Sequence, residues 1–283
     1  MAGRAAKAYP PEIYKKVDAF KLFDDTFMSK VFDGRKAETA LLLQIILGDP
    51  GIKVISVHTQ VEIKNLQGRS VRLDIKARDS KGVIFEVEVQ RESSGAKPKR
   101  ARYISSVLDA NVLKAAKDFE KLPELYVIFI TEHDVIGEGQ PIYHVDRIIS
   151  ESGSLFGDKS HIIYVNGEIT DDTELGRLMH DFHCIKAGDM NYKLLADRVR
   201  YFKETQKGRN AMCAIVEDYA NEVAERREKE AVQRANRKAI LKGFQGGLTK
   251  EMAMTMYPKY TPNDIEELYK KAQKSLLNRK AAK

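Results

Sequence analysis

The chain has 283 residues, of which 43% are hydrophobic and 31% charged, and its formal net charge at pH 7 is +7. This length and apolar content leave room for one sizeable domain with a real core plus an appendage. No run approaches the roughly 18 uninterrupted apolar residues of a membrane span, and no apolar signal segment follows the first residues. The two cysteines, Cys184 and Cys213, lack metal or disulfide spacing. We therefore expect a cytoplasmic protein with reduced, packed thiols and no membrane partner.

Positive charge is concentrated towards the C-terminus. Residues Arg198 to Lys283 contain 20 Lys and Arg against 11 Asp and Glu, whereas the remainder contains 28 against 30. Phosphate neutralisation supplies most non-specific affinity for nucleic acid, so this tail is a candidate for DNA binding. An ordinary Lys-rich helix without such a role is the alternative.

The first predicted elements are a helix and a strand. A helix is predicted over Asp33 to Leu47, where Gly48 to Gly51 stops it, and a strand follows over Val54 to Ile63. The expected buried residues of the helix are Ala37, Ala40, Leu41, Leu43 and Ile45.

A β-hairpin is predicted over Val71 to Gln90, because apolar and polar residues alternate along both halves. Gly82 suits the left-handed position of a three-residue loop, which pairs Asp79 with Val83. Counting outward from that pair predicts the cross-strand partners on the polar face: Arg72 with Gln90, Asp74 with Glu88, and Lys76 with Glu86.

The polar face of this hairpin has two interpretations. It is either a solvated sheet face, on which Lys76 and Glu86 neutralise each other, or a site for a divalent cation. Asp74 and Glu88 favour the second, because two facing carboxylates repel unless a cation lies between them. Carboxylate oxygens, with water and phosphate, are the ligands that Mg²⁺ prefers.

A helix that begins with basic residues is predicted between Lys97 and Phe119. Its start would lie close to the end of the Glu88 strand, where a phosphodiester bound to a metal needs counter-charge. The candidate nucleic-acid-binding residues are Lys97, Lys99, Arg100, Arg102 and Tyr103. A solvent-exposed basic helix start is the alternative.

Three further strands complete the predicted core. The apolar run Leu125 to Ile130 indicates a buried strand, and two more are predicted over Ile142 to Val145 and Ile162 to Val165. An antiparallel unit, a crossover helix and a buried strand predict an α/β fold whose last pairing is parallel or mixed.

The C-terminal part is predicted to be helical. One helix ends near Lys207, the charged segment Arg226 to Lys238 is either an exposed helix or a linker, and two short helices flank Tyr257 to Tyr260. This last pair resembles a reduced helix-turn-helix. We expect it to pack against the long helix or a second subunit, which makes the C-terminal helices candidates for homo-oligomer contacts.

His180 and His183 do not predict a zinc site, because the third and fourth ligands are missing.

Five segments in order resemble the PD-(D/E)XK nuclease superfamily and, within it, the transposase-derived, recombination-promoting nuclease group. The likeness covers roughly residues 18 to 205. The segments are Arg69 to Ile75, Glu88 to Gln90, Tyr126 to Glu132, Pro141 to Asp146 and His161 to Gly167.

This resemblance implies a restriction-endonuclease-like core, a mixed sheet flanked by helices, with a helical C-terminal extension. It also implies that Asp74 and Glu88 are catalytic residues that hold Mg²⁺, for which Mn²⁺ substitutes. Gln90 takes the position of the superfamily lysine and orients the attacking water, but an amide supplies no positive charge. The acidic residue that the family carries on its first helix corresponds to Asp25.

We therefore predict a divalent-metal-dependent DNA endonuclease associated with transposition or recombination. The predicted organisation is an N-terminal basic segment (1–17), a nuclease-like domain (18–207) and a helical C-terminal region (208–283). The alternatives are a nucleic-acid-binding module of the same fold without turnover, and a protein-interaction role with a solvated hairpin face.

Overall fold

The computed structural model describes residues 8–65, 68–113 and 116–281, with side chains up to residue 275. Residues 1–7 of the predicted basic segment lie outside this range. The strands are β1 (Val54–Ile63), β2 (Val71–Asp79), β3 (Ile84–Gln90), β4 (Leu125–Thr131), β5 (Ile142–Val145) and β6 (Ser160–Asn166). The helices are α1 (Pro11–Ala19), α2 (Asp25–Phe32), α3 (Lys36–Leu47), α4 (Pro98–Val112), α5 (Glu174–His183), α6 (Lys193–Glu204), α7 (Gln206–Gln245), α8 (Lys250–Met256) and α9 (Pro262–Ala281).

The chain divides into two compact units, Met1–Cys213 and Ala214–Lys283. The helix α7 passes through this division. The boundaries that the sequence predicts, after residues 17 and 207, stay a prediction.

The first unit is built on a six-stranded mixed sheet in the order β1-β2-β3-β4-β6-β5. Pairing is antiparallel from β1 to β3 and parallel from β3 through β4 to β6, and β5 joins β6 antiparallel. The α/β fold is confirmed, and the pairing of β4 with β3, predicted to be parallel or mixed, is parallel.

The predicted hairpin is confirmed in its loop and in its register from Asp79 back to Ile75, which includes the pair Lys76 with Glu86. The predicted pairs Asp74 with Glu88 and Arg72 with Gln90 lie beyond the end of the ladder. The N–H of Asp79 donates to the carbonyl of Val83 (3.1 Å), and Gly82 has a φ of 91°. One Asp79 carboxylate oxygen accepts from the N–H groups of Lys81 and Val83 (both 2.9 Å). The loop is thus fixed by a side chain as well as by glycine.

Both faces of the sheet are covered. On one face α4 packs its apolar side chains against β3, β4 and β6. The helices α2 and α3 contact β1 and, together with α5 and α6, form the opposite layer. Every residue of β3 from Ile84 to Val89 is consequently buried.

Two helices differ from their predictions. The α3 helix begins at Lys36, and its Ala37 is exposed whereas Leu42 and Ile46 are buried. Apolar residues occur almost all round this helix, so its neighbours rather than its pattern decide which face is buried. The α4 helix ends at Val112, well before Phe119, and a separate 3-10 turn begins at Phe119, where the preceding Asp118 side chain accepts from the Glu120 N–H.

The second unit has its own apolar core. The end of α7 supplies Ile240 and Phe244, which pack with Ala253 of α8 and with α9. The predicted pair of helices around Tyr257 to Tyr260 is confirmed. Residues 226–238 are helical and largely exposed, so the linker interpretation is wrong. Within the described residues, no helix is both long and apolar enough to cross a membrane.

Candidate active site

The candidate site lies at the carboxyl end of β3. Because β3, β4 and β6 are parallel, their carboxyl ends meet at one edge of the sheet. The N–H of Glu132 donates to the Gln90 carbonyl (2.9 Å), and the N–H of Gly167 donates to the Thr131 carbonyl (2.7 Å). These bonds hold the strand ends at a common level.

Asp74 is positioned where the β2–β3 ladder stops. The last pair in the described register is Ile75 with Val87. One residue further, the Asp74 carboxylate accepts from the backbone N–H of Val89 (3.0 Å). A side chain thus replaces the carbonyl that would have continued the ladder, and it brings Asp74, only 6% exposed, against β3.

Glu88 is completely buried, and only one of its two carboxylate oxygens has a partner. Oε2 accepts from the Arg100 guanidinium of α4 and from Nε2 of Gln90 (3.2 Å). Among the residues that the structure describes, no donor group hydrogen-bonds Oε1. A buried carboxylate oxygen without a partner is costly, and it offers a free ligand position for a cation.

Gln90 and Arg100 form a bridge over Glu88. While the Gln90 amide nitrogen donates to Glu88, its oxygen accepts from Nη1 of Arg100 (3.3 Å), which also donates to the Gly95 carbonyl (2.8 Å). A Cβ at Gly95 would lie 2.0 Å from the Gln90 amide oxygen. Gly95 therefore makes the space that the Gln90 side chain occupies.

The solvated-face interpretation of the hairpin is wrong. Glu86 and Glu88 are 0% exposed, because α4 covers the face that they share. Lys76 lies opposite Glu86 in the ladder, as predicted, but in the described residues the two side chains form no ion pair. The period-two pattern marks the polar face but cannot show that a helix covers it.

The site contains more carboxylates than positive charges to compensate them. Burial, followed by the charges of Glu88 and Asp25, raises the pKa of Asp74 to about 8, against the N–H of Val89 and the Arg100 guanidinium. Burial and the neighbouring Glu88 also raise the pKa of Glu86 well above its usual value. Both shifts show that the folded protein resists a second and third negative charge here.

Asp25, the first residue of α2, stands at the open side of the site with its side chain 49% exposed. It accepts from Nε2 of Gln60 (2.6 Å), and its charge contributes to the raised pKa of Asp74. Its neighbour Asp24 instead accepts from the Lys21 N–H (2.8 Å) and pairs with Arg91 (2.9 Å). The other Asp25 oxygen pairs with Arg72 (3.6 Å), and of the two adjacent acids Asp25 is the one whose charge raises the pKa of Asp74.

Gln60 is a residue that the sequence analysis missed. In β1 it lies between the partners of Ile75 and Leu73, and therefore level with Asp74. Its φ of 53° is left-handed, a conformation that side chains other than glycine rarely adopt. Backbone strain of this kind concentrates at functional sites. No pattern in the sequence distinguishes Gln60 from other strand residues.

The predicted basic residues separate into three groups. Lys97, Lys99 and Arg102 are exposed at the start of α4. The Arg100 guanidinium contacts the buried Glu88 carboxylate, while 39% of the Arg100 side chain is exposed. The Tyr103 hydroxyl donates to the Arg69 carbonyl (2.5 Å), so it anchors the segment before β2.

A second group of potential ligands is satisfied by the protein itself. Ligand atoms of His180, Asp181 and Cys184 lie within 4.8 Å of one another. Both Asp181 oxygens, however, accept from backbone N–H groups, of Asn191 (2.7 Å) and Tyr192 (2.8 Å). Burial raises the pKa of the Cys184 thiol to about 11, so it is a poor source of thiolate.

A mixed sheet flanked by helices, with two carboxylates at a shared strand edge, defines a restriction-endonuclease-like protein of the PD-(D/E)XK class. The family model described as PD-(D/E)XK nuclease family transposase matches residues 33–174, just over half of the chain. The chain belongs to this family, and the predicted membership and fold are confirmed. Comparisons with curated proteins and with solved structures gave no match.

Membership supports a function of the nuclease type. Nucleases of this class generally use divalent metals, and the family implies DNA as the substrate.

Proposed function

We propose that the protein is a divalent-metal-dependent DNA endonuclease that hydrolyses phosphodiester bonds in transposition or recombination. The observation that carries this proposal is the pair of buried carboxylates, Asp74 and Glu88, of which Glu88 retains an oxygen without any partner. Residues 18–207 are the proposed nuclease domain.

The donor set fits a hard divalent cation. Asp74 and Glu88 would hold Mg²⁺, or Mn²⁺ in its place, because both offer carboxylate oxygens and, among the described residues, the Arg100 guanidinium alone compensates their charge. A cation bound there supplies an acidified water and polarises the scissile phosphate. Asp25 adds negative charge at the open side.

Gln90 is the proposed positioning group for the attacking water. Its amide is fixed between Glu88 and Arg100, so its donor and acceptor atoms are directed before substrate arrives. The amide carries no charge, but the Arg100 guanidinium lies against it. Positive charge near the reacting phosphate therefore comes from α4 in this protein.

DNA binding is proposed for the start of α4. Lys97, Lys99 and Arg102 are exposed, and the first turn of the helix contains no acidic residue. Cations at a helix N-terminus are unfavourable on their own and become favourable when a phosphate binds, since the N-terminus itself attracts anions. Tyr103 supports this surface by holding the Arg69 carbonyl.

Plasmid cleavage tests the proposal. The full chain is incubated with supercoiled plasmid in Mg²⁺, Mn²⁺ or EDTA, and Asp74→Asn and Glu88→Gln are compared with Glu92→Gln, an exposed acid on the same segment. We expect metal-dependent nicking by the parent and Glu92→Gln only. Equal cleavage by all four proteins would refute the site. A salt-dependent mobility shift without cleavage in any metal would favour the binding module.

A further inference from the structure

Glu86 is a buried acid that the proposed mechanism does not use. It lies on β3 two residues before Glu88 and is 0% exposed. Within the described residues, no nitrogen or hydroxyl donor hydrogen-bonds either of its carboxylate oxygens, and the one side chain whose hydrogen bond helps to raise its pKa is that of Glu88. Lys76, its partner in the ladder, forms no ion pair with it within the described residues.

Such a group needs a reason to be retained. A buried carboxylate without hydrogen bonds or a counter-charge is among the most costly groups that a core can contain. Glu86 and Glu88 are two residues apart on one strand and therefore share a face. The free oxygens of these two side chains, both oxygens of Glu86 and Oε1 of Glu88, are the carboxylate oxygens without partners in the described core.

The charges at this face point to a divalent ion. Asp74, Glu86 and Glu88 bring three carboxylates together, and Arg100 contributes the one guanidinium that contacts them in the described structure. With all three carboxylates ionised, as metal ligands must be, the one guanidinium leaves a deficit of two positive charges. A divalent cation would neutralise the group and give the free oxygens a partner.

We propose that Glu86 is a third acidic residue of the cation site, and that its carboxylate and the free oxygen of Glu88 together hold the ion. The inference rests on the proposed function in that it concerns the same site. It adds a residue that stands outside the Asp74, Glu88 and Gln90 set.

Metal binding, measured apart from cleavage, provides the test. The full chain is titrated with Mn²⁺, and the free ion is followed by electron paramagnetic resonance. Mg²⁺-dependent rises in Tm are recorded alongside. Glu86→Gln keeps the shape of the side chain and removes its charge. Glu92→Gln is the control.

We expect Glu86→Gln to bind Mn²⁺ at least about 10-fold more weakly and to lose most of the Mg²⁺-dependent rise in Tm. Glu92→Gln should match the parent. Mn²⁺ affinity of Glu86→Gln within about twofold of the parent would overturn the proposal and leave Glu86 as a neutral core residue.

Two further arms keep the test decisive. If Glu86→Gln does not fold, Glu86→Asp replaces it, because it keeps the charge on a shorter side chain. The Mn²⁺ affinity of Glu86→Asp should fall, whereas that of the control should not. Unchanged affinity of Glu86→Asp would overturn the proposal. A parent that binds Mn²⁺ but cleaves no plasmid would refute the endonuclease and leave the Glu86 comparison valid. A parent that binds no Mn²⁺ would overturn both.

Discussion

Replacing Asp74 by Asn should stabilise the metal-free protein while abolishing cleavage. Asn keeps an oxygen that accepts from the Val89 N–H and removes the buried charge. The pKa of Asp74 is raised to about 8, so at neutral pH the folded protein holds a proton that the unfolded chain releases. This uptake costs stability, which falls as the pH rises from about 4 to about 8.

The size of the effect follows from the shift. At pH 7 the full cost is about 4 kcal/mol, since each pKa unit corresponds to about 1.4 kcal/mol. Glu88 and Asp25 share in it, so we take about half, 2 kcal/mol, as the gain of Asp74→Asn. For a unit of this size that corresponds to a rise in Tm of about 4 to 8 °C.

Thermal unfolding in EDTA at pH 4, 6 and 8 measures this difference. The curves of Asp74→Asn and the parent should coincide at pH 4 and separate towards pH 8. Mg²⁺ should then raise the Tm of the parent but not of Asp74→Asn. A difference that does not grow with pH would refute the account of Asp74 as a strained, uncompensated acid. Glu92→Gln, with an exposed side chain, provides the baseline.

Three other perturbations separate the roles at the site. Gly95→Ala should displace the Gln90 amide and reduce turnover on the order of 100-fold, towards the level of Gln90→Ala. Its Tm should hardly change, because the end of the flexible Gln90 side chain can move away. A fully active Gly95→Ala would show that the position of the amide is irrelevant. Asp25→Asn should weaken Mn²⁺ binding, because the Asp25 charge acts on Asp74, whereas Asp24→Asn removes the charge that pairs with Arg91 and should lower the Tm alone. Equal Mn²⁺ affinities of the two variants would contradict this difference. Truncation after Cys213 removes a unit with 15 Lys and Arg against 10 Asp and Glu, so the salt dependence of DNA binding should flatten; an unchanged slope in mobility shifts would mean that this unit contacts protein.

The hairpin shows what local pattern can predict. Alternation and the turn residues fix the register from Asp79 outward, because each ladder step turns the next side chain to the other face. This is enough to bring Asp74 level with Glu88. It does not show that the ladder stops at Ile75 and that the Asp74 carboxylate caps Val89, which depends on how β2 diverges from β3.

Features that depend on contacts between distant elements cannot be predicted from local sequence patterns. Burial of Glu86 depends on α4 covering the sheet, and the left-handed Gln60 hydrogen-bonds Asp25 of α2, an element 35 residues away in sequence. Arg100 was identified as a basic residue near the site, but its side chain turns inward to Glu88 whereas Lys99 remains outside. Helical spacing alone does not decide which of two adjacent basic residues faces the sheet.

The contact of Arg100 with Glu88 also suggests how a neutral amide can occupy position 90, where the wider class has lysine. A lysine at position 90 would combine water positioning and charge in one side chain. In the proposed mechanism Gln90 fixes the direction of the water and Arg100, ten residues later on α4, supplies the charge. A hydrogen bond joins the two side chains. Arg100→Gln should therefore reduce turnover while leaving DNA affinity close to that of the parent. An equal loss in Arg100→Gln and Lys99→Gln, confined to DNA affinity, would show that Arg100 is one more phosphate contact. The matched pair separates the two roles because both residues lie in the first turn of one helix and differ in the direction of the side chain.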